Sequence, residues 1–381
     1  MTEPDNEPPL VTRAPGPAPE VPPAPRRPRP GFWEAVAWCA VFLMVQGCAG
    51  IATVCVVFAA YCFAAPEPGK FFNEQLDGYA KAADPKAEGG AAPLPFEIGQ
   101  AIAWGLLAAQ FVSLGLIALV LPRRIGPDWR RQIGFRAPAG IHVLLVLLIA
   151  PGFALGADAI QAALNAATGL KPPAVMKTLN GIFNRFPWPL TVLAVAVGPG
   201  VVEELWCRGF VGRGLSARYG LTAGVLLTSV FFAMMHLDPS QLLVYALMGA
   251  YLHFVYIATR SLWASVLLHA MNNGIAVLLV LVLPSEKLDQ PTPIVVPLAA
   301  LSLMIFGSVA LWTGRAELQP ALGASDAWWE SDGWRPEYPG VSAPPPEANV
   351  RLGRAVMSPV ALIFTFVSFA AVMYLGYRYL I

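Results

Sequence analysis

Glu203, Glu204 and Arg208 stand where the pattern reads as membrane helix, directly after a run from Trp188 to Val202 that carries no charge. Ionisable side chains are costly inside a bilayer and by default point to function. Two histidines in neighbouring apolar stretches could join them. His236 closes Phe232-Ala233-Met234-Met235-His236, and His269 opens His269-Ala270-Met271-Asn272-Asn273. The i,i+4 spacing puts His269 and Asn273 on one helix face, and Glu204 and Arg208 on one face of another. Glu203 is turned by about 100° from Glu204. One glutamate can therefore face a reaction centre while the other is held by the arginine.

A carboxylate beside a histidine can take a proton from water, which then attacks a carbonyl carbon. A second histidine with an asparagine can donate hydrogen bonds to the oxyanion. Alternatively, Glu203, His236 and His269 could bind a divalent metal such as zinc and leave a position open for water. Both schemes lead to peptide hydrolysis. His142 and His253 have no acidic or histidine partner one turn away and read as packing or interfacial residues. Asp158 reads as interfacial. The sequence contains neither HExxH nor a GxSxG elbow within a span.

These side chains need helices to carry them. The chain is 56% hydrophobic and 13% charged, and long uncharged runs recur. The fold class expected is an all-α polytopic membrane protein with about eight to nine transmembrane helices. A net charge of +1 gives no argument for nucleic acid as a partner. The expected partners are membrane lipid and a membrane-associated protein or peptide substrate. Of the five cysteines, Cys48, Cys55 and Cys62 share one helix stripe, and no CxxC pair exists.

In chain order, residues 1–31 form a polyproline-like tail with eleven prolines. Spans are expected at 35–66, 98–121 and 142–163, with a mixed-charge loop at 67–97 and a loop carrying Lys171, Lys177 and Arg185. A fourth helix runs from about Pro189 to about Arg218, a fifth from Leu221 to His236 or Leu237. Asp238-Pro239-Ser240-Gln241 has the chemistry of a helix start, so a sixth runs from Pro239 to about Ala258. The seventh spans 262–284, the eighth 292–313 and the ninth 359–375. The divisions of the chain are thus 1–31, 32–186, 187–284, 285–314, 315–357 and 358–381. The 315–357 loop holds Trp328, Trp329, Trp334 and Tyr338. Five arginines in the loop at 122–140 place the N-terminus in the cytoplasm by the positive-inside rule, with the cell inner membrane as the expected location.

Depth can be counted. Glu203 and His236 each lie about 16 residues, or roughly 25 Å, from the turn at Tyr219-Gly220. They can meet at one level. His269 is only about 10 residues, or roughly 15 Å, from the turn at Arg260, and tilt or a break near Gly249 is needed to bring it level.

Glu203-Glu204-x-x-x-Arg208-Gly209, Phe232-x-x-x-His236 and His269-x-x-x-Asn273, in that order, resemble the three motifs of the CPBP intramembrane proteases. That family includes the CAAX prenyl proteases and the bacteriocin-processing or self-immunity (Abi) proteins. The lead-in Arg260-Ser261-Leu262-Trp263-Ala264-Ser265 is close to the family's usual entry to the third motif. The resemblance covers roughly residues 187 to 284. It implies that Glu203 activates water with His236, that Glu204 and Arg208 support it, and that His269 and Asn273 form the oxyanion site. Cys207 departs from the family pattern, where an aromatic is usual. A non-catalytic scaffold of the same fold and an ion-coupled carrier are the alternative functions. The absence of an inverted repeat counts against the carrier.

Overall fold

The computed structural model describes residues 29–83, 94–169, 186–283, 292–321, 323 and 350–379. Most of the proline tail, the basic loop before residue 186 and the Trp-rich part of 315–357 lie outside the described residues. The helices are α1 (Phe32–Ala64), α2 (Pro68–Ala83), α3 (Phe96–Ile125), α4 (Trp129–Gln132) and α5 (Gly140–Thr168). They continue with α6 (Trp188–Tyr219), α7 (Leu221–Met235), α8 (Leu242–Thr259), α9 (Leu262–Val282), α10 (Val295–Thr313) and α11 (Pro359–Tyr379). Among the described residues, eight segments are long and apolar enough to cross a membrane. These are α1, α3, α5, α6, Pro239–Thr259, α9, α10 and α11, while α7 is apolar but shorter. The chain is an all-α, multi-pass integral membrane protein. In α1 the protein buries only 6% of the apolar window, which leaves most of that hydrocarbon surface for lipid.

Two regions differ from the sequence expectation. The stretch read as a loop at 67–97 contains α2, a 16-residue helix. Its charges lie among alanines and other good helix formers, and helix propensity does not require an apolar run. The polar segment after α10 contains a short antiparallel pair, β1 (Ala316–Pro320) with β2 (Val350–Arg354). The two strands are 30 residues apart in sequence, and neither is long enough to show an alternation by itself.

The core that positions the site is built from α6, α7, α8 and α9. Side chains from all four share one apolar cluster that includes Trp206, Phe232, Leu252 and Leu268. Two glycines set the spacing. A Cβ on Gly200 of α6 would lie 3.0 Å from the backbone nitrogen of Ala270, so the helices carrying Glu203 and His269 meet almost backbone to backbone. A Cβ on Gly249 of α8 would lie 3.1 Å from the Cα of Ser229 on α7. The helix of α8 runs unbroken through Gly249, so no break there adjusts the depth of His269.

The depth is set by the α8–α9 turn. Ser261 is fully buried, whereas Tyr219 at the α6–α7 turn is exposed. The Ser261 hydroxyl donates to the Arg136 carbonyl, and the Leu262 N–H donates to the Gly134 carbonyl at 2.9 Å. The Tyr256 hydroxyl donates to the Ile133 carbonyl at 2.8 Å. The α3–α5 loop thus caps a buried turn, so a count that starts from an exposed turn does not apply to α9.

Gly249→Val puts branched carbons where α7 and α8 touch. Overpacking of this kind costs about 1–3 kcal/mol. The variant is expected to show a lower melting temperature in detergent than Ala250→Val on the same helix.

Candidate active site

The middle of α6 does not wind as a regular α-helix. It has π-helical turns at Leu193–Val197 and Leu205–Gly212, with an α-helical piece, Gly198–Glu204, between them. Such wide turns are rare, and single-turn π-bulges are often found at functional sites. Glu203 and Glu204 close the regular piece, and Arg208 lies within the second wide one.

Glu204 and Arg208 are both completely buried. Arg208 Nη1 donates to Glu204 Oε1 at 2.7 Å, and Nη2 donates to the Gly249 carbonyl at 2.7 Å. The guanidinium also lies over the Phe232 ring, 4.7 Å from its centroid. Arg208 therefore joins α6, α7 and α8 at one point. A charge taken out of water needs such partners, because burial without them costs several kcal/mol.

The two histidines point their second nitrogens at one carboxylate. His269 Nδ1 donates to Glu204 Oε1 at 3.0 Å, while its Nε2 is 4.0 Å from Glu203 Oε2. His236 Nδ1 is 2.8 Å from the Phe232 carbonyl, and its Nε2 is 3.9 Å from Glu203 Oε2. A carbonyl can only accept, so His236 carries its proton on Nδ1. In the neutral tautomers both Nε2 atoms are acceptors facing Glu203. The glutamates are sharply divided: the Glu203 side chain is 16% exposed and Glu204 is sealed. His236 is 24% exposed, so Glu203 and His236 form the open side of the cluster.

Asn273 does not join the ring of contacts directly. Its Nδ2 donates to the Val195 carbonyl at 3.1 Å, and Asn272 donates to its Oδ1 at 3.1 Å. One amide hydrogen of Asn273 remains after that bond. Val195 belongs to the first π-helical turn, so this bond ties the middle of α9 to α6.

The structure thus brings Glu203, Glu204, Arg208, His236 and His269 into one cluster, with Asn273 one turn further along α9. Tyr245 and the Gly249 carbonyl were not singled out from the sequence, and Phe232 was named only as the start of the His236 motif, without a role. Phe232 supplies both the ring under Arg208 and the carbonyl on His236, and its i,i+4 spacing from His236 is the signal that could have found it. Tyr245 stacks on His236, with centroids 4.0 Å apart and planes 20° apart. The Gly249 carbonyl left no trace in side-chain pattern. The two histidines read as packing residues are buried in the structure. His142 meets the Gly314 carbonyl at 2.8 Å, and His253 lies within the core. Asp158 is exposed. Cys207 is buried and unpaired.

The metal alternative can be tested against these distances. Four-coordinate zinc with bonds of about 2.0–2.1 Å holds neighbouring ligand atoms roughly 3.4 Å apart. The separations of 3.9 and 4.0 Å from Glu203 to the two rings are wider than that. Among the described residues, no group of three or more His, Cys, Asp or Glu side chains is arranged to hold a metal ion. The set therefore does not fit a metal in this arrangement.

Residues 185–275 match the family model described as Type II CAAX prenyl endopeptidase Rce1-like. Over this segment the chain is similar to that family. The segment contains every residue of the cluster, together with Val195, Tyr245 and Gly249. The chain is also similar to a Bacillus subtilis (strain 168) protein named "Putative membrane peptidase YdiL", at 28% identity over 102 residues. That match covers 27% of this chain and 42% of the Bacillus protein. No solved structure matches the chain. The helices outside the Rce1-like segment are thus assigned by their own composition and packing.

Arg208→Met with Glu204 retained leaves a buried carboxylate without its counter-charge, at a cost of about 3–5 kcal/mol. The double variant Glu204→Gln/Arg208→Met removes both charges and should regain much of that loss. Thermal unfolding in detergent, compared across the single and double variants, measures the difference.

Proposed function

We propose that this protein is an intramembrane endopeptidase that cleaves a membrane-associated or lipidated protein or peptide with a glutamate-activated water. The observation that carries the reading is the convergence of two imidazole Nε2 atoms on Glu203 Oε2, at 3.9 and 4.0 Å, beside a fully sequestered Glu204. Three acceptors facing one another call for a donor between them. A water there donates one hydrogen to Glu203 and the other to a ring nitrogen, and its lone pair is then free to face a substrate.

In this mechanism Glu203 takes a proton as the water oxygen bonds to the scissile carbonyl carbon. His236 holds the water, with its tautomer set by the Phe232 carbonyl and its plane by Tyr245. The oxyanion is met by the remaining amide hydrogen of Asn273 and by His269 Nε2–H, which requires that this ring has taken a second proton from solvent before the attack and leaves Glu203 and His236 as the acceptors for the water. Glu204 accepts from Nδ1 of His269 and so orients that ring. As the C–N bond breaks, the proton held by Glu203 passes to the leaving nitrogen. The products are a carboxylate and an amine. Arg208 stays out of the reaction and holds Glu204 in place.

The Rce1-like match and the named membrane peptidase support a protease of membrane substrates. The positive-inside count supports an N-terminus in the cytoplasm, and residence in the cell inner membrane is proposed with it. The active arrangement is proposed to open on the side of Glu203 and His236.

Glu203→Gln keeps the shape and loses the base. It is expected to lower the cleavage rate of a reconstituted membrane-peptide substrate by about 10²–10⁴-fold. Full cleavage by purified Glu203→Gln, with melting unchanged, would falsify the proposal. A scaffold predicts no effect of that variant on cellular phenotype. A carrier predicts glutamate-dependent ion flux in liposomes instead of cleavage.

Asn273→Ala and His269→Gln address the oxyanion separately. Loss of one donor of this kind costs about 10²–10³-fold in kcat. Each variant should lower kcat with little change in KM, and equal losses in binding and rate would argue for a positional role alone.

A further inference from the structure

One end of the helix bundle gathers the arginines. The Phe32 N–H at the start of α1 donates to the Tyr219 hydroxyl at the α6–α7 turn, at 3.1 Å. Pro30 packs on Gly214, and Gly31 on the Arg218 guanidinium. Arg124 at the end of α3 pairs with Glu34 of α1. Ser261 ties the α8–α9 turn to the loop after α3, and Arg260 of that turn donates to the Ala316 carbonyl beyond α10. These contacts hold the ends of α1, α3, α6, α8 and α10 together, and every described arginine except Arg208 and Arg378 lies there. The opposite end carries Glu67, Glu74, Asp77 and Glu97, with Lys70 and Lys81 on α2. The positive-inside rule assigns the arginine end to the cytoplasm.

The Glu203 cluster opens toward the other end. From Glu204 to Ser216 every residue of α6 is buried, so about 18 Å of sealed helix separates the cluster from the arginine end. On α7 the exposure has the opposite sense. His236 is partly open, and Leu237 beyond it is 76% exposed. Leu237 is also held in the left-handed region, with φ of 55°, which a leucine adopts only where its surroundings fix it. The 15 residues of α7 rise about 22 Å, against roughly 30 Å of hydrocarbon. The α7–α8 turn therefore lies within the bilayer, on the non-cytoplasmic side. Non-helical backbone at that depth needs protein cover or water. Asp238 accepts from the Ser240 N–H at 3.0 Å and from Gln241, and Gln161 of α5 donates to the Ser240 carbonyl at 3.1 Å. That covers the far part of the turn, and the exposed part, at His236 and Leu237, is the mouth through which water enters.

We propose that the Glu203 site is entered from the non-cytoplasmic face, and that its substrate is a membrane-anchored chain whose scissile bond lies on that side of the bilayer. The side of entry rests on the arginine asymmetry and the sealed half of α6, and the substrate class rests on the peptidase reading. A chain anchored by an apolar helix reaches Glu203 by passing its outer end over Leu237. A cytoplasmic tail would have to pass the buried length of α6. The substrate class is thus a protein with a translocated portion, rather than one that presents a modified C-terminus in the cytoplasm.

The test uses the full-length protein in right-side-out and inside-out vesicles of its host membrane. Leu237→Cys and Asp128→Cys are each made with Cys48, Cys55 and Cys62 replaced by serine, and are labelled with a charged maleimide that does not cross the bilayer. Leu237→Cys is expected to react in right-side-out vesicles and to lose that reaction in inside-out ones. Asp128→Cys, in the loop after α3, is expected to do the reverse. Leu237→Cys reacting from the Asp128 side, or from neither side, overturns the proposal. Cleavage gives an independent reading that leaves the native cysteines in place. A reporter with one apolar helix and the same test sequence at both ends is expected to be cut by wild type only at the non-cytoplasmic end. Cutting at the cytoplasmic end alone overturns the proposal. Labelling as expected with neither end cut leaves the side of entry standing and counts against the peptidase reading instead.

Discussion

The buried pair of Glu204 and Arg208 is the interaction on which the rest of the site depends. It brings two full charges into a part of the chain with almost no other polar groups. Its cost is met by geometry rather than by solvent: a 2.7 Å ion pair, a 2.7 Å bond to the Gly249 carbonyl and the face of Phe232. Each of those partners lies on a different helix. The ion pair itself lies within α6, but its full set of partners is complete only when α6, α7 and α8 are in register. Once formed, it fixes Glu204 as the acceptor for His269, and so brings α9 into the same arrangement.

The two glutamates illustrate how neighbouring identical side chains acquire different work. Their directions differ because successive residues on a helix turn away from one another. Glu204 faces inward to the arginine and is immobilised. Glu203 faces the two imidazoles and retains a partly open side. The π-helical turns on either side of this piece widen the helix where it must carry both. One of them supplies the Val195 carbonyl that takes up Asn273.

Close backbone approach gives the site its rigidity. Gly200 lets α6 reach α9, and Gly249 lets α8 reach α7 while offering its carbonyl to Arg208. The loop before α5 seals the α8–α9 turn with three hydrogen bonds to its own carbonyls, at Ile133, Gly134 and Arg136. An element far from the chemistry in sequence thus sets the level at which α9 begins.

Much of this was legible in the sequence. Apolar runs define the membrane helices because a bilayer demands about 20 residues without charge, and that demand is local. The i,i+4 spacings define which side chains share a helix face, and the helix period alone separates Glu203 from Glu204. The level match of Glu203 and His236 follows because both are counted from one exposed turn. His269 could not be placed in that way. Its turn is buried under residues distant in sequence, and no local pattern records how deep a turn sits. The carbonyls of Gly249, Phe232 and Val195 were equally hidden, since every residue has one and only the packing decides which are aimed at the site. Helix α2 escaped a reading based on hydropathy because its stability does not depend on an apolar stripe across a bilayer. Residue types and helical period were thus determined by the sequence alone. Depth, backbone partners and the meeting of four helices at the Glu204–Arg208 pair were decided by tertiary structure, because they depend on contacts between segments that the chain's local pattern does not relate.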